Sequence, residues 1–148
     1  MALDASLTLH DGTAITADRD PTSTVVSGGS VCVDLGAGQA APGSGARDLV
    51  AILVDPDGLT SAADDIAVSI QGCATVDGTY TTICSFDTIG ANSTGGHDGS
   101  AGSVQILKFS VDPAYRYIKA YINITDAAAS DFSEVIYVFL SNAGFYNL

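Results

Sequence analysis

The sequence has few basic residues, a single glutamate and no tryptophan. Lys and Arg number five against 17 Asp and Glu, which gives a formal net charge of -12. Proteins bind nucleic acids largely through Lys and Arg contacts to phosphate, so we expect no DNA or RNA partner. A protein with this negative charge is not attracted to an acidic membrane surface, so we expect no membrane partner.

Long apolar runs and a secretory leader are also lacking. No stretch approaches the roughly 18 apolar residues of a membrane span. The first residues, Met1–Ser6, lack the basic start and the apolar core of a signal peptide. We therefore predict that the protein is synthesised and folded in a cytoplasm.

Cysteine is scarce and oddly numbered. Cys32, Cys73 and Cys84 show no Cys-x-x-Cys spacing. A two-residue hairpin turn at Asp77–Gly78 would hold Cys73 and Cys84 roughly 7 Å apart, too far for an easy bridge. We predict three free thiols.

The acidic residues themselves disfavour a helical protein. They are sixteen Asp and a single Glu, Glu134, and Asp suits turns better than helices. In residues 112–125, apolar Ile118, Ala120 and Ile122 alternate with other side chains, which is the period of a strand with one buried face. Residues 66–71 repeat that period. Such faces need a second sheet to cover them.

Other segments complete this all-β pattern. Asp48–Asp55 and Val135–Leu140 are apolar at both parities, which predicts strands covered on both faces. Asp77–Gly78 predicts a tight hairpin. We count about eight strands and little helix. The predicted fold is an all-β, jelly-roll-like two-sheet β-sandwich.

The region around residue 100 combines a loop with an irregular strand. Thr88–Ser103 contains five glycines and is predicted to be a long loop. In the strand that follows, Val104 and Ile106 share one parity, and Phe109 has the other. This change predicts a β-bulge near Leu107.

The chain length fits one domain preceded by an arm. Residues 1–22 carry Leu3, Leu7 and Leu9 and end in Asp20–Pro21. We predict an extended N-terminal arm over 1–22 and a single β-sandwich domain over 23–148. The arm is either a frayed terminus or a segment that pairs with its own or a neighbouring subunit.

Motifs for chemistry are weak. Gly36–Ala41 matches a relaxed dinucleotide pattern, but Pro42–Gly43 blocks the helix that would hold the pyrophosphate. His10 and His97 are the only histidines, and neither has a metal-ligand spacing. We expect no cofactor and no catalytic residues, and so no enzyme.

A group of aspartates has a calcium interpretation and a structural one. Calcium requires several oxygen ligands, and Asp55, Asp57, Asp64 and Asp65 are close in sequence. They lack the spacing of a calcium-binding loop, and Asp is common in turns. We interpret them as turn residues and expect no bound metal.

One face of the 112–125 strand is rich in tyrosine. Tyr115, Tyr117 and Tyr121 share a parity with Lys119. Such a face could stack on sugars, pack against protein or cover the edge of the sandwich, and the lack of tryptophan disfavours the sugar platform. The candidate interaction surface comprises Leu3, Leu7, Leu9, Tyr117, Lys119 and Tyr121.

Several segments together resemble one protein family. Leu7–Ala17, leading through Thr24–Val26 and Cys32–Gly36, resembles the opening of tailed-phage capsid cement (decoration) proteins of the Bordetella-phage type. Val68–Cys73, then Asp77–Tyr80 and Tyr115–Tyr121, are similar to the strand-turn-strand and aromatic strand of that family. The resemblance spans about residues 5 to 141. The glycine-rich loop and the Asp20–Pro21 element are departures from it.

The resemblance implies a structural role. Proteins of this family are jelly rolls that sit on the outside of an icosahedral head and clamp adjacent capsomers. The implied partners are the major capsid protein and further copies of the chain, as a homodimer or homotrimer, and the implied location is the outer capsid surface of the virion. The alternatives are a carbohydrate- or receptor-binding β-sandwich and an enzyme of unrecognised type.

Overall fold

The computed structural model describes residues 8–12, 15, 32–35, 47–59, 64–90, 92–125 and 134–142. Within these ranges the chain forms nine β-strands and no helix, and therefore no helix that could cross a membrane. The strands build two antiparallel sheets around one apolar core. The predicted all-β, two-sheet sandwich is confirmed.

The strand order is that of a jelly roll. The strands are β1 (Thr8–Asp11), β2 (Val33–Asp34), β3 (Arg47–Asp55), β4 (Asp65–Cys73), β5 (Thr81–Ser85), β6 (Ile89–Gly90), β7 (Ser103–Val111), β8 (Tyr117–Thr125) and β9 (Tyr137–Asn142). The first sheet has the order β1-β9-β3-β7, and the second has β2-β8-β4-β5, with β6 also on β4. The pairs β1–β9, β2–β8, β3–β7 and β4–β5 are nested, as in a long hairpin that has rolled up.

The core lies between the sheets and follows the predicted alternation. Ile66, Val68 and Ile70 of β4 are at most 2% exposed. In β8, Ile118 and Ile122 are buried beside them, because β4 and β8 pair in register over their full lengths. Full burial of each such side chain stabilises the fold by about 1.5–3 kcal/mol.

The predicted bulge near Leu107 is wrong. Strand β7 pairs with β3 without a register shift, from Arg47 opposite Val111 to Asp55 opposite Ser103. The side chains of Val104 and Ile106 consequently point away from the core and are 52% and 57% exposed.

The inward position between those two residues is occupied by a polar side chain, Gln105. Its Nε2 donates to the carbonyl oxygen of Asp87 and its Oε1 accepts from the amide of Asp87, both at 2.9 Å. Because these bonds satisfy the amide, burying Gln105 carries little penalty. The regular strand can therefore place a glutamine inward and two aliphatic residues outward.

The hairpin between β4 and β5 exists, but its turn is longer than predicted. The last paired residues are Gly72 and Thr81, and a shift lies between Ile70 and Gln71. The connection runs over Ala74–Tyr80, and within it the amide of Gly78 donates to the carbonyl oxygen of Thr75.

A side-chain contact accounts for the longer turn. The Tyr80 ring lies over the ammonium group of Lys119, and the Tyr80 hydroxyl donates to the carbonyl oxygen of Val76. These contacts hold the connection over the sheet. The three cysteines are free thiols, as predicted.

The N-terminal segment joins the sandwich of its own chain. Strand β1 pairs with β9, and Ile15 exchanges two backbone hydrogen bonds with Glu134. Leu9 is 3% exposed and belongs to the core, so its side chain does not project from an arm. Leu3, Leu7 and the predicted boundary at residue 22 lie outside the described residues, and that boundary stays a prediction.

Candidate interaction surfaces

The polar residues singled out from the sequence mostly hold turns and loops. Within the described ranges, no three His, Cys, Asp or Glu side chains are placed to hold a metal ion. Asp55 is buried, and its Oδ1 accepts from the amide of Gly58 at 2.9 Å, in the turn after β3. Burial raises the pKa of Asp55. Asp65 accepts from the amide of Asn92 and so ties down the glycine-rich loop.

The two histidines lie in different parts of the structure, one in the core and one in the glycine-rich loop. His10 is 1% exposed, and its Nδ1 lies 2.8 Å from the carbonyl oxygen of Ile136. His97 belongs to the glycine-rich loop, where its Nδ1 lies 2.8 Å from Ser103 Oγ. Both side chains therefore make structural contacts.

Asp87 organises the glycine-rich loop. One carboxylate oxygen accepts from the amide and the hydroxyl of Thr94, and the other accepts from Ser93 Oγ and the amide of Gly95. These hydrogen bonds, led by the one from Ser93, lower the pKa of Asp87. The stretch that the sequence indicated only as a long loop thus contains strand β6, and Asp87 and Asp65 both hold it to the sandwich.

This arrangement predicts how the loop responds to acid. The folded pKa of Asp87 lies below its ordinary value of 3.8, so its contribution is complete above that value and is lost as pH falls through the folded pKa. Protection of the Thr94 and Gly95 amides from hydrogen exchange should therefore be unchanged from neutral pH to about pH 4.5.

Asp87→Asn should remove that protection at every pH, because the amide has one acceptor oxygen and no charge. Asp98→Asn is the matched control, since Asp98 accepts from the amide of Ser100 in the same loop. It should leave Thr94 and Gly95 protected. Equal protection in the wild type and Asp87→Asn would contradict the assigned role.

The tyrosine-rich face lies on the outer side of the second sheet, and one end of it is covered. Lys119 is only 5% exposed, with its Nζ 3.9 Å from the centroid of the Tyr80 ring. Burial raises the pKa of Tyr80, and the nearby Cys32 thiol adds to the rise. The β4–β5 connection therefore shields Lys119 from solvent.

Tyr117 lies next to this covered end and contacts an ion pair. The Arg116 guanidinium is 5.0 Å from the centroid of the Tyr117 ring and forms two hydrogen bonds with Asp34, at 2.7 and 2.6 Å. Because Arg116 and Asp34 are both well exposed, this pair adds little stability.

Tyr121 lines an open groove of about 350 Å³ farther along the same face. The floor is low because β4 places the small side chains of Ala67 and Ser69 there. Tyr121 and Asn123 of β8 form one wall, and residues of β5 and the segment after it form the other. The lining consists of Ala67, Val68, Ser69, Gln71, Thr82, Ser85, Phe86, Thr88, Tyr121 and Asn123.

The outer side of the first sheet carries a continuous apolar surface, which we term the outer apolar patch. It consists of two cross-strand rows, one of Val104, Val54 and Tyr137 and the other of Ile106, Ile52 and Phe139. The rings of Tyr137 and Phe139 are stacked, with centroids 6.0 Å apart.

The patch corrects one prediction about burial. Strands β3 and β9 were expected to be covered on both faces. On the outer face Val50 is buried, but Ile52, Val54, Tyr137 and Phe139 are only half-buried. The inner faces of both strands are buried in the core, as expected.

The described members of the predicted interaction surface differ in their surroundings. Leu3 and Leu7 lie outside the described residues, Leu9 is in the core, and Lys119 is covered. Tyr117 and Tyr121 are half-buried on the outer face of β8.

Sequence reasoning missed Val104 and Ile106. A signal was present, because exposed Lys108 and Ser110 continue the same parity along β7 and indicate a solvent face.

Comparisons with known proteins assign the chain to no family. The sequence matches no protein-family model and no curated protein.

Proposed function

We propose that the protein is a structural capsid cement (decoration) protein that binds the outer surface of an icosahedral phage head and clamps adjacent capsomers. The family resemblance supports the proposal, since it implies a jelly roll and the nested strand pairs have that order. The proposed partners are the major capsid protein and further copies of the chain, as a homodimer or homotrimer.

The observation that carries the proposal is the outer apolar patch. Contiguous exposed apolar surface marks interaction sites on soluble proteins, and Val104 and Ile106 are each more than half exposed. The patch lies on a sheet whose central strands pair over six to nine residues. Contact through such a preformed surface avoids the entropy cost of ordering a flexible segment.

Strand β7 adds a second feature suited to protein contact. Among the described strands it pairs only with β3, so its other edge presents backbone donors and acceptors beside the patch. A sheet edge of this kind can accept a strand from a partner.

Oligomerisation would make several weak contacts strong enough to stabilise a shell. When one copy of a homo-oligomer binds a capsomer, the others are held near the next capsomer at a high effective concentration. The oligomer would match a local symmetry axis of the head. Binding across two capsomers opposes their separation under the pressure of packaged DNA.

The test is co-sedimentation with purified heads of the phage that carries this sequence. The wild-type chain should sediment with expanded heads, and the double variant Val104→Asp with Ile106→Asp should bind at least about tenfold more weakly, because carboxylates would be desolvated in the contact.

The control is Val76→Asp. Val76 is 45% exposed, but it lies in the β4–β5 connection of the other sheet, so this variant should bind as wild type does. Failure of the wild-type chain to bind heads would overturn the proposal. Undiminished binding by the double variant would show that the patch is not the contact.

A further inference from the structure

We infer that the groove on the outer face of the second sheet, beside Tyr121, binds a neutral saccharide. A volume of about 350 Å³ is within the range of small-molecule sites. The groove exists because Ala67 and Ser69 provide a low floor between the longer side chains of Tyr121 and Gln71. It has room for a short stretch of a sugar chain lying across the strands.

The lining offers many unused hydrogen-bonding groups. Seven of its ten residues carry a hydroxyl or amide group, and no hydrogen bond in the described structure uses these seven side chains. Hydroxyls and primary amides both donate and accept, which matches the hydroxyl groups of a sugar. The seven are Ser69, Gln71, Thr82, Ser85, Thr88, Tyr121 and Asn123.

The groove is uncharged in a strongly acidic protein. None of its lining residues is Asp, Glu, Lys, Arg or His, although the chain carries a net charge of -12. An anionic ligand would need cationic partners such as Arg or Lys, and a cation would need carboxylates. The lining therefore favours a ligand without charge.

Tyr121 provides an aromatic surface within this polar lining. It is half-buried, so its ring is held by the sheet while part of it remains accessible. An aromatic ring beside hydrogen-bonding groups suits a sugar, which has polar hydroxyls and apolar C–H faces. A peptide would be expected to use apolar pockets or a strand edge, and the groove consists mainly of polar side chains on a sheet face.

The inference does not rest on capsid binding. The groove belongs to the second sheet, whereas the outer apolar patch belongs to the first. A chain bound to a head through the patch could still present the groove to the surroundings.

The experiment is titration of the purified chain with maltohexaose, cellohexaose, laminarihexaose and hexa-N-acetylchitohexaose. Binding is measured by calorimetry and by the NMR amide signals of Ser69, Gln71, Thr82 and Asn123. At least one of these neutral probes should bind and shift those four signals. Heparin and polysialic acid should not bind, because the groove has no cation.

Two variants and a control locate the site. Tyr121→Ala removes the aromatic ring, and Ser69→Trp fills the floor of the groove. Each variant should weaken saccharide binding at least about tenfold. Tyr117→Ala should bind as wild type does, since Tyr117 is on the same face of β8 but does not line the groove. Thermal unfolding measures whether each variant is folded. If Tyr121→Ala does not fold, the saccharide affinity of Ser69→Trp alone tests the inference.

At a probe concentration of about 10 mM, even millimolar affinities would be detected. If none of the four neutral probes bound at that concentration, the inference would be overturned. Wild-type affinity in Ser69→Trp, or a preference for polysialic acid, would also overturn it. Tyr121→Ala should still sediment with heads as wild type does, so failure of this inference is distinguishable from failure of the cement proposal.

Discussion

Ile70→Ala is expected to lower the free energy of unfolding by about 3–4 kcal/mol, as measured by urea denaturation followed by circular dichroism. The Ile70 side chain is fully buried in the core, on β4, opposite Ala120 of β8 and Cys84 of β5. Removing most of the side chain loses its transfer free energy and leaves a cavity. The paired strands on both sides limit how far the core can collapse into that cavity.

Ile106→Ala is the matched control for this prediction. It makes the same chemical change at a side chain that is 57% exposed on β7. Its cost should stay below about 1 kcal/mol, because surface substitutions have small effects. A similar loss of stability in both variants would mean that the outer face of the first sheet is not solvent-exposed.

Gly90→Ala is expected to cost about 3 kcal/mol or more of unfolding free energy by the same measurement. Gly90 of β6 has a φ of 121° and pairs with Asp65 of β4. A Cβ there would overlap the carbonyl oxygen of Asp64 and approach Asp65 Oδ1 to 2.8 Å. Backbone strain and a clash with the backbone therefore act together.

Gly96→Ala separates these two effects. Gly96 has a φ of 85°, but a Cβ there would meet nothing within 4 Å. Its cost should be only the roughly 1–2 kcal/mol of the left-handed conformation. Equal costs at both positions would show that the contact with Asp64 has no part in the effect.

The two proposals assign different binding roles to the outer faces of the two sheets. The outer apolar patch on the first sheet is suited to protein contact, and the groove on the second sheet has uncommitted polar groups. Both depend on register rather than on any local motif. The patch needs Val54 and Ile52 aligned with both β7 and β9, and the groove needs Tyr121 beside Ser69.

The sequence by itself determined the fold class and the inner faces of β4 and β8. Strict alternation in these strands leaves one apolar face, and water drives that face into a core whatever the neighbours are. It also predicted free cysteines and placed Tyr121 on an outer face. It could not supply the groove around Tyr121, because all the other lining residues except Asn123 come from β4, β5 and the segment after β5.

Only the tertiary structure decided which side chains face the core in strands whose pattern allowed either face. In β7, both faces carry aliphatic residues, and hydrogen bonds from Gln105 to the Asp87 backbone allow the glutamine to face inward. In β8, Lys119 has the parity of an exposed residue, but the ring of Tyr80 covers it. Alternation tells which residues share a face, whereas long-range partners decide what that face meets.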